Sequence, residues 1–395
     1  LMKKIFPTRK KGISFLPKKW ILAICLVSIA GNTPATQPPK SGKAYVVSNA
    51  HLDTQWLWTV RTSIIDYIPR TIYQNLALIH DYPDYIFNFE GAVKYNWMKE
   101  YYPLDYEKVK EAIKNGRWHV SGSSWDANDV NVPSPESSFR NILLGQEFYK
   151  KEFGLKSTDI FLPDCFGFGY TLPSIAKHCG LIGFSTQKLG WRKKPFYGDS
   201  KIPFTIGRWK GIDGAELICA LDCGSYVHNF KDDDLTKDND LIQSVERDPM
   251  RTAYRYFGAG DRGGSAMPVS AMAIEKAQVS GDGPIEIVCA SSDQLYKDYL
   301  HSGKVKELPV FDGELLMDVH ASGCYTSQSA MKRFNRRNEQ LADAAERASV
   351  MAEWLGALPY QSKTLTESWQ RFIWHQFHDD LTGTSIREAY PFSWN

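Results

Sequence analysis

Short β-rich runs alternate with longer stretches of helical character over most of the chain, and this alternation restricts the fold more than any other feature. The strand candidates are 44–49, 85–90, 118–122, 159–163, 182–186, 216–221, 254–258 and 285–290. Helix-length spacers separate most of them, so the strands are expected to run parallel through crossovers, in a barrel or an open doubly wound sheet. After about residue 315 the pattern changes. Met331, Phe334, Leu341, Ala345, Ala348 and Leu355 recur near helical spacing. A second helix is predicted to open at Thr364, with Glu367 three residues on as a capping box and Trp369, Phe372, Ile373 and Gln376 on one face. The expected organisation is an α/β domain over 44–315 followed by the beginning of a helical domain over 316–395.

The 395 residues are 43% hydrophobic and 13% aromatic, which excludes a disordered tail, a collagen-like repeat and a coiled coil. Charge is unevenly spread. Of the 47 basic residues, seven (Lys3, Lys4, Arg9, Lys10, Lys11, Lys18, Lys19) precede Trp20, and no acid precedes Asp53. Without residues 1–30, 40 basic groups face 45 acidic ones, a mildly acidic body that argues against a nucleic-acid partner. The asymmetry reads as a signal peptide over 1–30: a basic start, an apolar stretch over 20–30, and the small residues of Ser28-Ile29-Ala30 at its end. That stretch is too short to span a bilayer, which takes about 20 residues. The expected location is therefore secreted or periplasmic, with no membrane span. Residues 31–43, rich in Thr, Pro, Gly and Ser, read as a linker. Cys165, Cys179, Cys219, Cys223, Cys289 and Cys324 are scattered in apolar contexts and read as buried thiols rather than a disulfide framework.

Chemistry-bearing residues gather at predicted strand ends. In Ser48-Asn49-Ala50-His51-Leu52-Asp53 an apolar strand runs into a His-x-Asp pair. Side chains alternate along a strand, so His51 and Asp53 face the same way and can chelate one metal, although a solvated strand end has the same spacing. Asp164 is a lone carboxylate between Phe161 and Tyr170, a setting that calls for a cation or strong donors, or else for a helix N-cap role. Phe377-His378-Asp379-Asp380 follows the last predicted helix and offers His378 as a further ligand. Asp261 lies in the glycine-rich run Gly258-Ala259-Gly260-Asp261-Arg262-Gly263-Gly264, which matches neither a dinucleotide fingerprint nor a P-loop.

Together these segments resemble the α-mannosidases of glycoside hydrolase family 38, from about residue 44 to 384. The resemblance rests on His51-Leu52-Asp53-Thr54-Gln55-Trp56, Pro163-Asp164-Cys165-Phe166-Gly167, Thr186-Gln187-Lys188-Leu189-Gly190-Trp191, Gly260-Asp261-Arg262-Gly263-Gly264 and His378-Asp379-Asp380-Leu381-Thr382-Gly383-Thr384. Asp129-Val130-Asn131-Val132-Pro133-Ser134-Pro135-Glu136 and Tyr325-Thr326-Ser327-Gln328 support it. It implies a seven-stranded (β/α) barrel followed by a helical bundle, here incomplete, and then β-rich domains that this chain would lack. It implies a retaining α-mannosidase acting on terminal α-linked mannose of glycans. One divalent metal, zinc before cobalt or calcium, would be held by His51, Asp53, Asp164 and His378. Asp164 would also be the nucleophile and Asp261 the general acid/base. Trp56 and Phe166 would wall the −1 sugar site, with Lys188 and Asp379 as polar neighbours of the metal and sugar. Arg262 and Ser265 depart from the glycine-richer loop common among bacterial relatives. Two other readings use the same residues: a non-catalytic mannose-binding remnant, and a metal-dependent polysaccharide deacetylase, for which only His375 and His378 form a close histidine pair. A chain ending at Asn395 is further expected to leave the apolar face of Trp369, Phe372, Ile373 and Phe377 partly uncovered.

Overall fold

The computed structural model describes residues 40–193, 202–231, 233–317 and 320–393. The expected signal peptide, and the expected linker as far as residue 39, lie outside them. All eight expected strands form: β1 (Gly42–Ala50), β2 (Phe87–Glu90), β3 (Trp118–Ser121), β4 (Asp159–Phe161), β5 (Gly183–Ser185), then β7 (Glu216–Ala220), β8 (Thr252–Ala259) and β9 (Ile285–Cys289). Two were not expected, β6 (Ile206–Lys210) and β10 (Val310–Asp312). The β6 run is interrupted by Gly207 and reads as polar; it is held as a strand by its antiparallel partner β7, in register from Ile206 against Ala220 to Lys210 against Glu216. The hairpin turns through Gly214, whose φ of +85° suits a residue without a Cβ.

The ladders make two five-stranded sheets. One has the order β3-β2-β1-β8, with β9 also on β1; the other runs β10-β6-β7-β5-β4. β1 pairs in parallel with β8 along Lys43 to Ala50, while β9 takes residues 42–46 of β1 and β2 takes Ser48 and Asn49. The closed seven-stranded ring is not what the ladders of the described residues form. The runs β3-β2-β1-β8 and β7-β5-β4 supply seven strands, but other bonds replace the ladder where the two sheets meet. At one seam Gly122, at φ +83°, turns the chain away after β3. Its N–H donates to Asp159 Oδ1 at 3.4 Å, and the Ser123 N–H donates to Ser157 Oγ at 3.2 Å. At the other seam the Tyr256 N–H donates to the Cys223 carbonyl at 2.8 Å.

Strand alternation sorts the core. Tyr45 and Val47 of β1 join Phe161, Ile218, Tyr254 and Tyr256 in an inner cluster drawn from both sheets. Ala44 and Val46 join Leu241 and Val245 of the helix Asn239–Arg247 in an outer one. All six cysteines of the described residues are free thiols, and five are buried.

The C-terminal segment carries the helices Ser329–Trp354 and Ser362–Trp374. Only part of the face predicted for the first is buried: Leu341 and Leu355 are exposed, and the covered side is Met331, Asn335 and Glu339, each four residues from the last. The second starts two residues before Thr364, and its N-cap Gln361 makes no side-chain cap, so the capping box is not used. Trp369, Phe372, Ile373 and Phe377 are all buried, contrary to the expected uncovered face. The helices Pro135–Phe153 and Ser329–Trp354 both pack against it, with the Arg140 guanidinium 4.9 Å above the Trp369 ring and the Trp369 Nε1 donating to Glu346 Oε1 at 2.8 Å. No helix of the described residues is long and apolar enough to cross a membrane.

Candidate active site and metal centre

β1 ends at Ala50, and the next residues carry His51 and Asp53 inward, as the alternation predicts. His51 Nε2 lies 2.9 Å from Asp53 Oδ1. Asp164 follows β4, and its side chain is 13% exposed. His378 arrives from the helix Ser362–Trp374, whose end docks on the segment after β3: Asn128 Nδ2 donates to the Ile373 carbonyl at 2.8 Å, and the Asp129 N–H donates to the Gln376 carbonyl at 3.0 Å. His378 Nε2 is then 3.2 Å from Asp53 Oδ1, 3.6 Å from Asp379 Oδ2 and 3.9 Å from Asp164 Oδ2. All four expected ligands thus converge. Two overlapping groups, His51 with Asp164 and His378, and Asp53 with His378 and Asp379, each offer ligand atoms within 4.8 Å of one another.

These atoms also pass a test for a bound cation. His51 Nε2, His378 Nε2 and Asp53 Oδ1 are buried, and none has a hydrogen-bond partner among the described residues, because their mutual contacts lack hydrogen-bond alignment. Buried polar atoms are rarely left this way. The opposite ring nitrogens are engaged: His51 Nδ1 meets Glu90 Oε1 at 3.0 Å, and His378 Nδ1 meets the Ala127 carbonyl at 2.6 Å. A histidine that donates through Nδ1 presents an Nε2 lone pair, the arrangement that outer hydrogen bonds impose on metal ligands. Nitrogen and carboxylate donors together suit a zinc-class ion.

Around this centre burial and charge compete. Until an ion displaces its proton, burial pulls the His51 imidazole down, but Asp53 and Glu90 outweigh it and hold it at about 10. Burial pushes Glu90 up, yet Lys94 and His51 bring it down to about 2. Asp379 goes the other way, raised to about 8 chiefly by burial despite the attraction of His378.

The remaining expected residues take distinct places. Lys188 Nζ donates to Asp164 Oδ1 at 2.6 Å and stands 4.7 Å above the Phe166 ring. That ring meets His378 edge-on at 6.0 Å. Asp379 accepts a hydrogen bond from the Thr384 hydroxyl. Trp56 sits at the rim, half-buried, packed edge-on against Trp58 and held through its carbonyl by the Ile386 N–H. Asp261 follows β8 in the left-handed region, at φ +62°. Its carbonyl accepts from the Asp53 N–H at 2.9 Å, and the Gly263 N–H donates to the His51 carbonyl at 3.1 Å, so this loop is stitched onto the ligand segment.

Sequence reasoning missed four contributors. Tyr226 places its hydroxyl 2.7 Å from Asp261 Oδ1 and 3.4 Å from Asp164 Oδ1. Gly260 makes room for it, since a Cβ there would overlap the Tyr226 ring. Nothing local in the sequence marks this tyrosine. Glu90 and Lys94, joined at 2.9 Å and both buried, stand behind His51. Glu90 ends the predicted strand 85–90, so the strand-end rule that found Asp164 could have found it. Gln55 donates to both oxygens of Asp380 at 2.8 Å and so ties the His51 segment to the His378 segment.

Comparison with known proteins identifies the family. Residues 41–314 match the Glycosyl hydrolases family 38 N-terminal domain, and residues 320–392 the Alpha mannosidase middle domain. Alpha-mannosidase G of Dictyostelium discoideum is 33% identical over 353 residues, which are 88% of this chain and 31% of that protein. An alpha-mannosidase of Saccharomyces cerevisiae is 29% identical over 369 residues, covering 88% of this chain and 32% of its own length. The chain thus spans about a third of the length of these relatives. The crystal structure of an alpha-mannosidase from Enterococcus faecalis superposes with a TM-score of 0.71 at 19% identity, over 89% of this chain and 40% of that one. With the family's N-terminal domain matched over residues 41–314, the chain belongs to glycosyl hydrolase family 38.

Proposed function

We propose that this site hydrolyses α-linked mannose with retention of configuration, assisted by one divalent metal, zinc before cobalt or calcium. The observation that carries the reading is the convergence of His51 Nε2, His378 Nε2 and Asp53 Oδ1, buried and without hydrogen-bond partners, on the side of Asp164. A metal held by His51, Asp53, Asp164 and His378 would supply a Lewis acid for the 2- and 3-hydroxyls of mannose, which distinguish it from glucose through the axial 2-hydroxyl. Lys188 and Tyr226 hold Asp164 Oδ1 and orient the carboxylate for attack on the anomeric carbon. Asp261 gives its proton to the leaving oxygen and afterwards takes one from the attacking water. Because one phenol oxygen touches both carboxylates, their Oδ1 atoms are at most about 6 Å apart, the two contacts laid end to end. That bound admits the retaining separation of about 5–5.5 Å between carboxyl groups. Phe166, beside His378, and Trp56 at the rim would wall the −1 sugar, with Lys188 and Asp379 meeting its hydroxyls. The same proposal assigns residues 44–315 to the catalytic α/β domain and 316–395 to the helical bundle, and export to residues 1–30.

The test is hydrolysis of an aryl α-mannoside with and without chelator, with the first-released anomer read by NMR. The α-anomer, with activity lost on chelation and regained on adding zinc, is expected. First release of the β-anomer overturns retention. Mannose binding without turnover in the metal-loaded protein supports the binding-remnant reading, and acetate release from acetylated glycans the deacetylase one.

A further inference from the structure

The acid/base loop has a feature that proton transfer does not use. Arg262 follows Asp261 directly and is exposed. Its guanidinium lies 5.5 Å over the ring of buried Trp58, whose indole Nε1 is anchored on Ser63 Oγ at 2.8 Å. Among the described residues Arg262 forms no ion pair. Its carbonyl accepts from Arg70 Nη2 at 2.5 Å, and its neighbours Asp261 and Gly263 are bonded to the Asp53 N–H and the His51 carbonyl. Arg70 stacks on Tyr67 at 4.9 Å, and its Nε is buried without a partner. Arg70 likewise forms no ion pair among the described residues, so two guanidiniums without ion-pair partners flank a loop whose backbone is fixed from both sides.

A proton donor for glycoside cleavage must reach the glycosidic oxygen, so a leaving sugar served by Asp261 would lie beside the loop that carries Arg262. A neutral sugar needs no full charge there. An unpaired guanidinium resting on an indole, with its N–H edge free, is built to grip an oxyanion by paired charge-assisted hydrogen bonds. We propose that Arg262, positioned by Arg70 and Trp58, forms an oxyanion subsite on the leaving-group side, so that the enzyme prefers α-mannosides whose leaving sugar carries a sulfate, phosphate or carboxylate group. This rests on the α-mannosidase reading of the site.

Three probes test it: a neutral α-mannosyl disaccharide, and the same disaccharide with a 6-O-sulfate or a 6-O-phosphate on the leaving sugar. In the metal-loaded wild type, kcat/KM is expected to favour both anionic probes by about tenfold or more at low ionic strength. The phosphate should gain more at neutral pH, where it carries the larger charge. In Arg262→Gln the anionic-to-neutral ratio falls to near one, and Arg262→Lys keeps part of it. A wild-type ratio near one, or a ratio unchanged in Arg262→Gln, overturns the proposal while leaving the hydrolase reading intact. If no probe is cleaved, the aryl α-mannoside assay judges the hydrolase reading, and tryptophan-fluorescence titration with the same probes decides the subsite. An anionic preference that Arg262→Gln abolishes supports it; equal binding of all three overturns it.

Discussion

Asp164 and Asp261 share Tyr226 but differ in every other contact, and the difference sorts their variants. Asp164 faces His378 as well as Lys188, so Asp164→Ala should lose both metal and turnover. Asp261→Ala should keep a full equivalent of metal by elemental analysis. It should also retain more of the first step on activated aryl mannosides than on natural ones, because a good leaving group needs less acid assistance. Equal losses on both substrates would remove Asp261 from the acid role. Glu90 acts one shell further out. It holds His51 Nδ1 while Lys94 holds it, all three within the core. Glu90→Gln should therefore weaken metal binding by about 10–100-fold, measured by chelator competition. An unchanged metal affinity would reduce Glu90 to packing.

Between elements, the seam of the two sheets depends on a side chain where a ladder is expected. Asp159 opens β4, accepts the Gly122 N–H and the Ser157 hydroxyl, and is wholly buried. Burial pushes its carboxyl up to about 7, and the charge of Asp293 adds to the rise. The folded protein therefore binds this proton more tightly than the unfolded chain does. Stability from the protonated form is present below the ordinary value near 4 and declines as pH rises through about 7. Asp159→Asn cannot ionise, yet its carbonyl can still accept from Gly122. It should match the wild type in urea melts near pH 4 and exceed it near pH 8, by on the order of 1–3 kcal/mol. The same gain at both values would place the effect elsewhere.

For the whole molecule, the candidate ligands come from segments far apart in the chain: 51–53 after β1, 164 after β4, and 378 after the last long helix. An ion bound by all of them ties the helical segment to both sheets. Removing it should lower the melting temperature, with recovery on adding zinc; at a thousandfold excess over Kd the linkage is about 4 kcal/mol. Hydrogen exchange should quicken first in residues 377–384, whose tie to the β1 segment would then rest on Gln55 with Asp380 and on backbone bonds. A melting point indifferent to chelator would mean that the site is organised by protein contacts alone.

Short β-rich runs and helix-length spacers made eight of the ten described strands legible, because burial on two faces leaves an apolar signature in the residues themselves. The same rule found His51, Asp53 and Asp164, since charge at the end of an apolar strand is conspicuous. Their identification as ligands, with His378, came from resemblance rather than spacing. Residues whose signal lies in a partner stayed hidden. β6 is a strand only between β7 and β10, and Tyr226 is a site residue only because Gly260 leaves it room. The outer face of the helix Ser329–Trp354 repeats apolar residues, yet much of it meets solvent. Local sequence specifies which faces can be buried, whereas which faces are buried, and whether a ladder or a carboxylate closes the seam, depends on what the rest of the chain brings alongside.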